Sequence, residues 1–271
     1  MNILNYNDTP LPECDGFTLS QMHLLIYYPF TDQCPIKTYL PEKEEILNGS
    51  PIFQIALELL SLLKGSDIKL TQNGNLPVKL VKDIYLKKNY SEELIDRRLM
   101  TIHSETDWSM LHTVKLVAIL AGLAKKVHNR LSLTKTGKTL LHEENYPMIF
   151  VYFLETFCRK FNWAYNDRFE NNDLGQIGFL YSLHILKKYG GELRALKFYS
   201  DSYFSAFPSF DYMLENAKFK FNIRDFAYQV RFVEGFAKWF GFAEVQVEGD
   251  DYLNQKVKVK RTKLLEQFLR S

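Results

Sequence analysis

The sequence predicts a mainly α-helical α+β protein with small β-hairpins, built as two similar units in tandem. Three observations predict this. Apolar residues recur every three or four positions through several stretches of ten or more residues, the period of a helix with one buried face. Short alternating stretches such as Val127 to Leu133, Val245 to Val247 and Lys256 to Val259 interrupt them, as half-buried strands of hairpins do. Finally, the order of these signals in the first half returns after Met148.

Residues 1–48 read as an arm in which Pro10, Pro12, Pro29, Pro35 and Pro41 permit only short elements; Phe17 to Tyr28 can form one helix before Pro29 stops it. The first unit, 49–146, opens on Ser50-Pro51, a capping serine followed by a proline at the first helical position. Ile52, Ile55, Ala56, Leu59, Leu60 and Leu63 line one face of that helix. Ile68 to Leu70 reads as a short strand, Asn73-Gly74 as a turn, and Pro77 as the start of a helix carrying Leu80, Val81, Ile84 and Tyr85. The charged, poorly patterned Lys87 to Asp107 reads as an extra helix with loops.

The most legible stretch is His112 to Leu141. Val114, Val117 and Ala121, with Leu116, Leu120 and Leu123, form an apolar helix ending near Gly122, and Lys125 and Lys126 suit its carbonyl end. A hairpin follows, and Thr134 caps a closing helix with Leu140 and Leu141. In the second unit, 147–271, Met148 to Phe161 is a connecting helix and Ile177 to Tyr189 a second. Leu193 to Phe210 parallels Ile68 to Tyr85, and Val230 to Phe242 parallels the central helix, with Phe240-Gly241-Phe242 standing where Ala121-Gly122-Leu123 stood. The arm is expected to pack on the first unit, and Gly122 and Gly241 to occupy equivalent places.

Helix, Ala-Gly-Leu, basic residues and Leu-x-Leu-Thr-x-x-Gly in this order resemble the second half of a bacterial winged-helix domain. The resemblance covers about thirty residues, one supersecondary unit. It implies two tandem winged-helix-like domains and a binding activity. GFTLSQMHLLIYYPF (residues 16–30) and KLTQNGNLP (residues 69–77) also resemble segments of uncharacterised bacterial proteins, some carrying a cysteine-rich zinc-binding tail. This chain has no cysteine-rich stretch of that kind, so the second resemblance adds no activity.

Composition narrows the function classes. With 46% hydrophobic and 15% aromatic residues, 271 residues suffice for two ordered domains. The net charge of +2, from 34 basic and 32 acidic residues, is too balanced for a protein that coats nucleic acid over its whole surface. Cys14, Cys34 and Cys158 offer neither a disulfide framework nor a zinc site, and reduced thiols fit a cytoplasmic protein. The first residues lack a secretory pattern, and the longest apolar stretches, Ile52 to Leu63 and Met148 to Phe157, fall short of the roughly 20 residues of a membrane span.

No catalytic, cofactor or metal site is expected. The serine-hydrolase turn, the zinc-protease helix and the dinucleotide fingerprint are all missing from the sequence. Its histidines are scattered, and His184, on an apolar helix, reads as a hydrogen-bonded structural imidazole. Thr136-Gly137-Lys138-Thr139 mimics the end of a phosphate-binding loop, but the glycine needed five residues earlier is Ser132.

The positive candidate is a patch of one sign: Lys115, Lys125, Lys126, Arg130, Lys135 and Lys138, with no acid between His112 and Leu141. On the third helix and hairpin of a winged helix these cations would meet the phosphates of duplex nucleic acid. The helix is expected to expose only His112, Thr113 and Lys115, with no Asn, Gln or Arg for base edges, so specificity is expected to be low. The same lysines read equally as a solvated face. The second hairpin tip, Glu248, Gly249, Asp250 and Asp251, repels phosphate, and its helix is expected to expose Arg231, Glu234 and Lys238. A protein partner, or a second copy of the chain, suits that unit better, and the alternative for the whole chain is a protein-interaction scaffold.

Overall fold

The computed structural model describes residues 7–87, 100–167, 173–215, 223–249 and 256–269. The chain is mainly helical with two small three-stranded antiparallel sheets, as the periodicities predict. It forms two compact units, Leu40–Phe161 and Met1–Tyr39 together with Asn162–Ser271. Among the described residues no single helix is long and apolar enough to cross a membrane.

The arm holds helix α1 (Leu19–Tyr27). The Thr18 hydroxyl accepts the Gln21 amide at 3.1 Å and the Gln21 side chain accepts the Thr18 amide at 2.9 Å, which satisfies two donors that a helix start leaves open. The expectation that the arm packs on the first unit is corrected: up to Tyr39 it belongs to the unit of Asn162–Ser271, and only residues 40–48 stay with the central unit. Asp15 accepts from Lys188 Nζ at 2.8 Å and from the Tyr189 hydroxyl at 2.6 Å, and lies 3.1 Å from His184 Nε2. Phe17 packs edge-on against His184, with ring centres 5.0 Å apart. These contacts span about 170 positions of sequence, beyond the reach of any local pattern.

The central unit begins with α2 (Lys43–Gly49) and α3 (Pro51–Gly65), which meet at a bend of 100°. Ser50 does not cap α3 with its hydroxyl, as the sequence suggested; its Oγ is buried without a hydrogen-bond partner among the described residues. Gln54 ties the bend instead, donating from Nε2 to the Leu47 carbonyl at 2.6 Å. α3 buries the whole predicted stripe, Ile52, Ile55, Ala56, Leu59, Leu60 and Leu63, and Phe53 besides. Each large side chain so buried contributes about 1.5–3 kcal/mol. Strand β1 (Ile68–Lys69), the turn at Thr71–Asn75 and helix α4 (Val78–Lys87) follow as read. Of the extra helix expected over Lys87 to Asp107, residues 88–99 lie outside the described residues, and Glu105–Asp107 forms a 3-10 turn.

Helix α5 (Ser109–Leu120), strands β2 (Ala124–Val127) and β3 (Arg130–Leu133) and helix α6 (Lys135–His142) complete the predicted series. Helix α7 (Tyr146–Arg159) stays with this unit, although the sequence reading placed it in the second. Its Ile149, Phe150, Phe153, Leu154 and Phe157 are buried, and it packs on α2, α5 and α6. Phe150 meets Phe53 of α3 edge to face at 5.4 Å. Those rings need a partner, and α3 and α5 supply it.

The C-terminal part runs through α8 (Phe179–Tyr189), β4 (Arg194–Ala195), α9 (Leu196–Ala206), α10 (Pro208–Glu215) and α11 (Ile223–Tyr228). A π-helical stretch, Gln229–Lys238, leads to β5 (Ala243–Glu248), β6 (Lys256–Arg261) and α12 (Lys263–Phe268). Phe232, Phe236, Phe240 and Phe242 are core, and Trp239 is half-buried. The sheets run β1-β3-β2 and β4-β6-β5, so each unit brings its isolated strand against the last strand of its hairpin.

The repeat extends to single atoms. Gly122 and Gly241 both take positive φ, 70° and 77°, and their carbonyls accept the hydroxyls of Thr134 and Thr262 at 2.6 Å in each unit. The amides after them close back identically, Leu123 N to Ala118 O and Phe242 N to Ala237 O. Thr134 and Thr262 then cap α6 and α12 by accepting from Gly137 N and Leu265 N.

Candidate nucleic-acid interface

The hairpin of the central unit turns on His128 and Asn129, both with positive φ (47° and 57°), the pair a two-residue hairpin turn needs to follow the twist of its strands. Asn129 fastens that turn to β1. Its side-chain Nδ2 donates to the carbonyls of Leu70 and Thr71, each at 3.0 Å, and its own carbonyl accepts Leu70 N at 2.9 Å.

Register decides which cations share a face. Lys69 pairs with Arg130, Val127 with Arg130, and Lys125 with Ser132. Because side chains alternate across a strand, Lys69, Lys125, Val127, Arg130 and Ser132 lie on the outer face, while Ile68, Ala124, Leu131 and Leu133 turn to the core. Lys126 is on the core side of the edge strand, and its Nζ lies over Gly74, 2.5 Å from where a β-carbon would sit. Lys135 and Lys138 are exposed on α6. Among the described residues Lys69, Lys125, Lys126, Lys135 and Lys138 form no ion pair, and Arg130 has only the half-exposed Asp67, with Nε and Oδ2 3.7 Å apart. An exposed pair at that distance removes little of the charge.

Lys115 does not belong to this surface. Only 4% exposed, it donates from Nζ to Glu105 at 2.8 Å and to the Gly74 carbonyl at 2.9 Å. Glu105, fully buried, also faces His112 Nδ1 at 2.5 Å and accepts the Leu76 amide. Burial alone would raise the Glu105 pKa, but hydrogen bonds from His112, Lys115 and Leu76 outweigh it and hold it below the ordinary carboxylate value. The expectation that α5 exposes His112, Thr113 and Lys115 is therefore corrected for all three. α5 packs on α3, on α7 and on the Glu105–Asp107 turn, which leaves Ser109 and Leu120 as its exposed positions.

The second sheet is built differently. Cross-strand pairing sets Lys256 opposite Glu248, Lys258 opposite Gln246 and Lys260 opposite Glu244. Lys258 meets Glu248 at 2.9 Å and Lys260 approaches Glu244 at 3.9 Å, so this face neutralises itself. Glu248 and Gly249 are exposed, whereas Asp250 and Asp251 of the expected acidic tip lie outside the described residues. Arg231, expected on the surface beside Glu234 and Lys238, is buried: Nε and Nη2 grip Asp167 at 2.6 and 2.8 Å. Such a fork-to-carboxylate pair is a structural clamp.

Other sequence signals find plain structural roles. Gly137 sits where a β-carbon would come within 2.2 Å of the Leu123 carbonyl, so the glycine of the apparent phosphate loop admits close packing of α6. His184 is held by Asp15, as a structural imidazole. Among the described residues no group of three His, Cys, Asp or Glu side chains could hold a metal ion. Sequence reasoning missed Lys69, because the strand that carries it is only two residues long and its partner lies some sixty positions away. Comparison of the chain with models of known protein families, with characterised proteins and with solved structures finds no match.

Proposed function

We propose that the protein is a non-catalytic pair of winged-helix-like units whose central unit binds duplex nucleic acid through its basic hairpin and closing helix. The observation that carries this reading is the set Lys125, Lys126, Arg130, Lys135 and Lys138, all exposed, with Asp67 alone against them among the described residues. Exposed cations fixed on a sheet and a helix start are suited to phosphate contact, since each contact releases a condensed counterion. In both units a helix, an isolated strand, further helices, a hairpin and a closing helix follow in that order, which supports the architectural part. The second unit, whose outer sheet face is self-neutralised, is assigned to protein contact.

The test is a titration of the full chain against labelled duplex DNA and RNA at several salt concentrations. Log affinity should fall linearly with log salt. Replacing Lys125, Lys126 and Arg130 together by Glu should abolish binding and change stability by about 0.5 kcal/mol or less at each exposed site. A second reading, a protein-interaction scaffold, is favoured by the burial of α5, which keeps that helix from entering a groove. Binding that is absent or independent of salt selects the scaffold.

A further inference from the structure

We infer that the nucleic-acid contact is made by a row of cations across the outer sheet face, Lys69 on β1, Arg130 on β3 and Lys125 on β2, and that it takes the sugar–phosphate backbone of a duplex without regard to base sequence. This rests on the nucleic-acid reading above and goes further, naming the face, a residue outside the predicted patch and the part of the ligand it recognises.

Three features of the structure lead here. Lys69 stands directly opposite Arg130, and Lys125 is diagonal to Arg130 across the next strand pair, so the row crosses two strand spacings, about 10 Å. The row is rigid, because β3 is paired on both sides and Asn129 pins the turn to Leu70 and Thr71. A rigid row of like charges with Val127 and Ser132 between them can follow a phosphate backbone, but it offers one arginine and no asparagine or glutamine to base edges.

The second half of the inference comes from α5. A helix that reads a major groove must expose one face, and α5 buries Met110, Leu111, His112, Thr113, Val114, Lys115, Val117 and Ala118. Lys115 is committed to Glu105 and Gly74, so freeing it would break a buried ion pair. Lys126, on the other side of the sheet over Gly74, is outside the row.

The experiment uses the full chain and fluorescence anisotropy on two labelled duplexes of equal length, one A·T-rich and one G·C-rich, over a salt series. The expected result is affinities within about threefold of each other, against the roughly 10³-fold or greater discrimination of a base-reading protein. Lys69→Glu and Arg130→Glu should each weaken binding to both duplexes alike and lower the salt slope by about one contact or more, while Lys79→Glu, at an exposed lysine of α4 outside the basic set, should leave the slope near that of the parent. Lys69→Gln and Arg130→Gln, which add no negative charge, should show the same direction with a smaller loss, and thermal midpoints report that the fold is retained. A preference of about 10-fold or more for one duplex, or a slope lowered by Lys79→Glu and untouched by Lys69→Glu, overturns the inference and leaves nucleic-acid binding standing. Binding without salt dependence, or none at all, overturns the nucleic-acid reading itself and this inference with it.

Discussion

Glu105 and Gly137 show how single residues set the central unit. Glu105 is a buried carboxylate held ionised by His112, Lys115 and the Leu76 amide, so its pKa in the folded chain lies below the ordinary 4.5. A carboxylate depressed in this way contributes stability that is fully present above its unfolded pKa and is lost as pH falls through the folded value. Glu105→Gln leaves Lys115 buried without its counter-charge, at a cost of about 3–5 kcal/mol near neutral pH. The difference from the parent should therefore narrow as pH falls below about 4.5. Hydrogen exchange at the α5 amides of the full chain measures this, and a difference that stays constant into acid would refute the assignment. Gly137→Ala sets a β-carbon 2.2 Å from the Leu123 carbonyl, a backbone atom that cannot swing aside. It should cost about 1–3 kcal/mol, although alanine is the better helix former by about 1 kcal/mol. A neutral or stabilising outcome in thermal unfolding would show that α6 can move away.

At the scale of elements, the informative comparison is between the two copies of the helix–hairpin–helix join. Thr134 and Thr262 each donate their hydroxyl to a glycine carbonyl at 2.6 Å and cap the next helix, in surroundings otherwise unlike, one sheet face cationic and the other internally paired. If the join is one motif used twice, Thr134→Ala and Thr262→Ala should each cost about 1 kcal/mol and lower the exchange protection of the Gly137 and Leu265 amides by similar factors. Strongly unequal effects would show that the shared geometry carries unequal weight in the two units. The helix before the first join follows its apolar period, yet Leu120, counted in its apolar stripe, is exposed. Period locates a stripe but does not say where a neighbouring helix stops covering it.

For the whole molecule, the division into Leu40–Phe161 and Met1–Tyr39 with Asn162–Ser271 makes a direct prediction about fragments. A fragment of residues 40–161 should unfold cooperatively by itself. One of residues 49–146, cut where the sequence alone places the boundary, loses α2 and α7 and uncovers Phe53 on α3, so it should bind a hydrophobic dye and unfold over a broad range. Residues 162–271 should need residues 1–39, supplied in the same chain or added as a separate piece, because Asp15 and Phe17 meet His184, Lys188 and Tyr189 there. A well-folded 162–271 fragment, indifferent to the arm, would contradict this division.

By itself the sequence determined the elements and their order: the stripe of α3, the Asn73-Gly74 turn, the central apolar helix, both hairpins and the Thr134 cap. Each depends on residues within about one turn or one strand of one another, and period, capping and turn chemistry are local. It also located Lys125, Lys126, Arg130, Lys135 and Lys138, the exposed cations of the first hairpin and its closing helix. Tertiary structure alone decided the rest. Lys115 and Arg231 read as surface charge because the carboxylates that bury them, Glu105 and Asp167, come from separate elements. Lys69 joins the cationic row only through its pairing with β3, and the arm and α7 are allotted to their units by contacts between remote apolar faces. Burial and charge pairing are properties of surfaces brought together from distant parts of the chain, and a one-dimensional pattern records the surfaces without recording which of them meet.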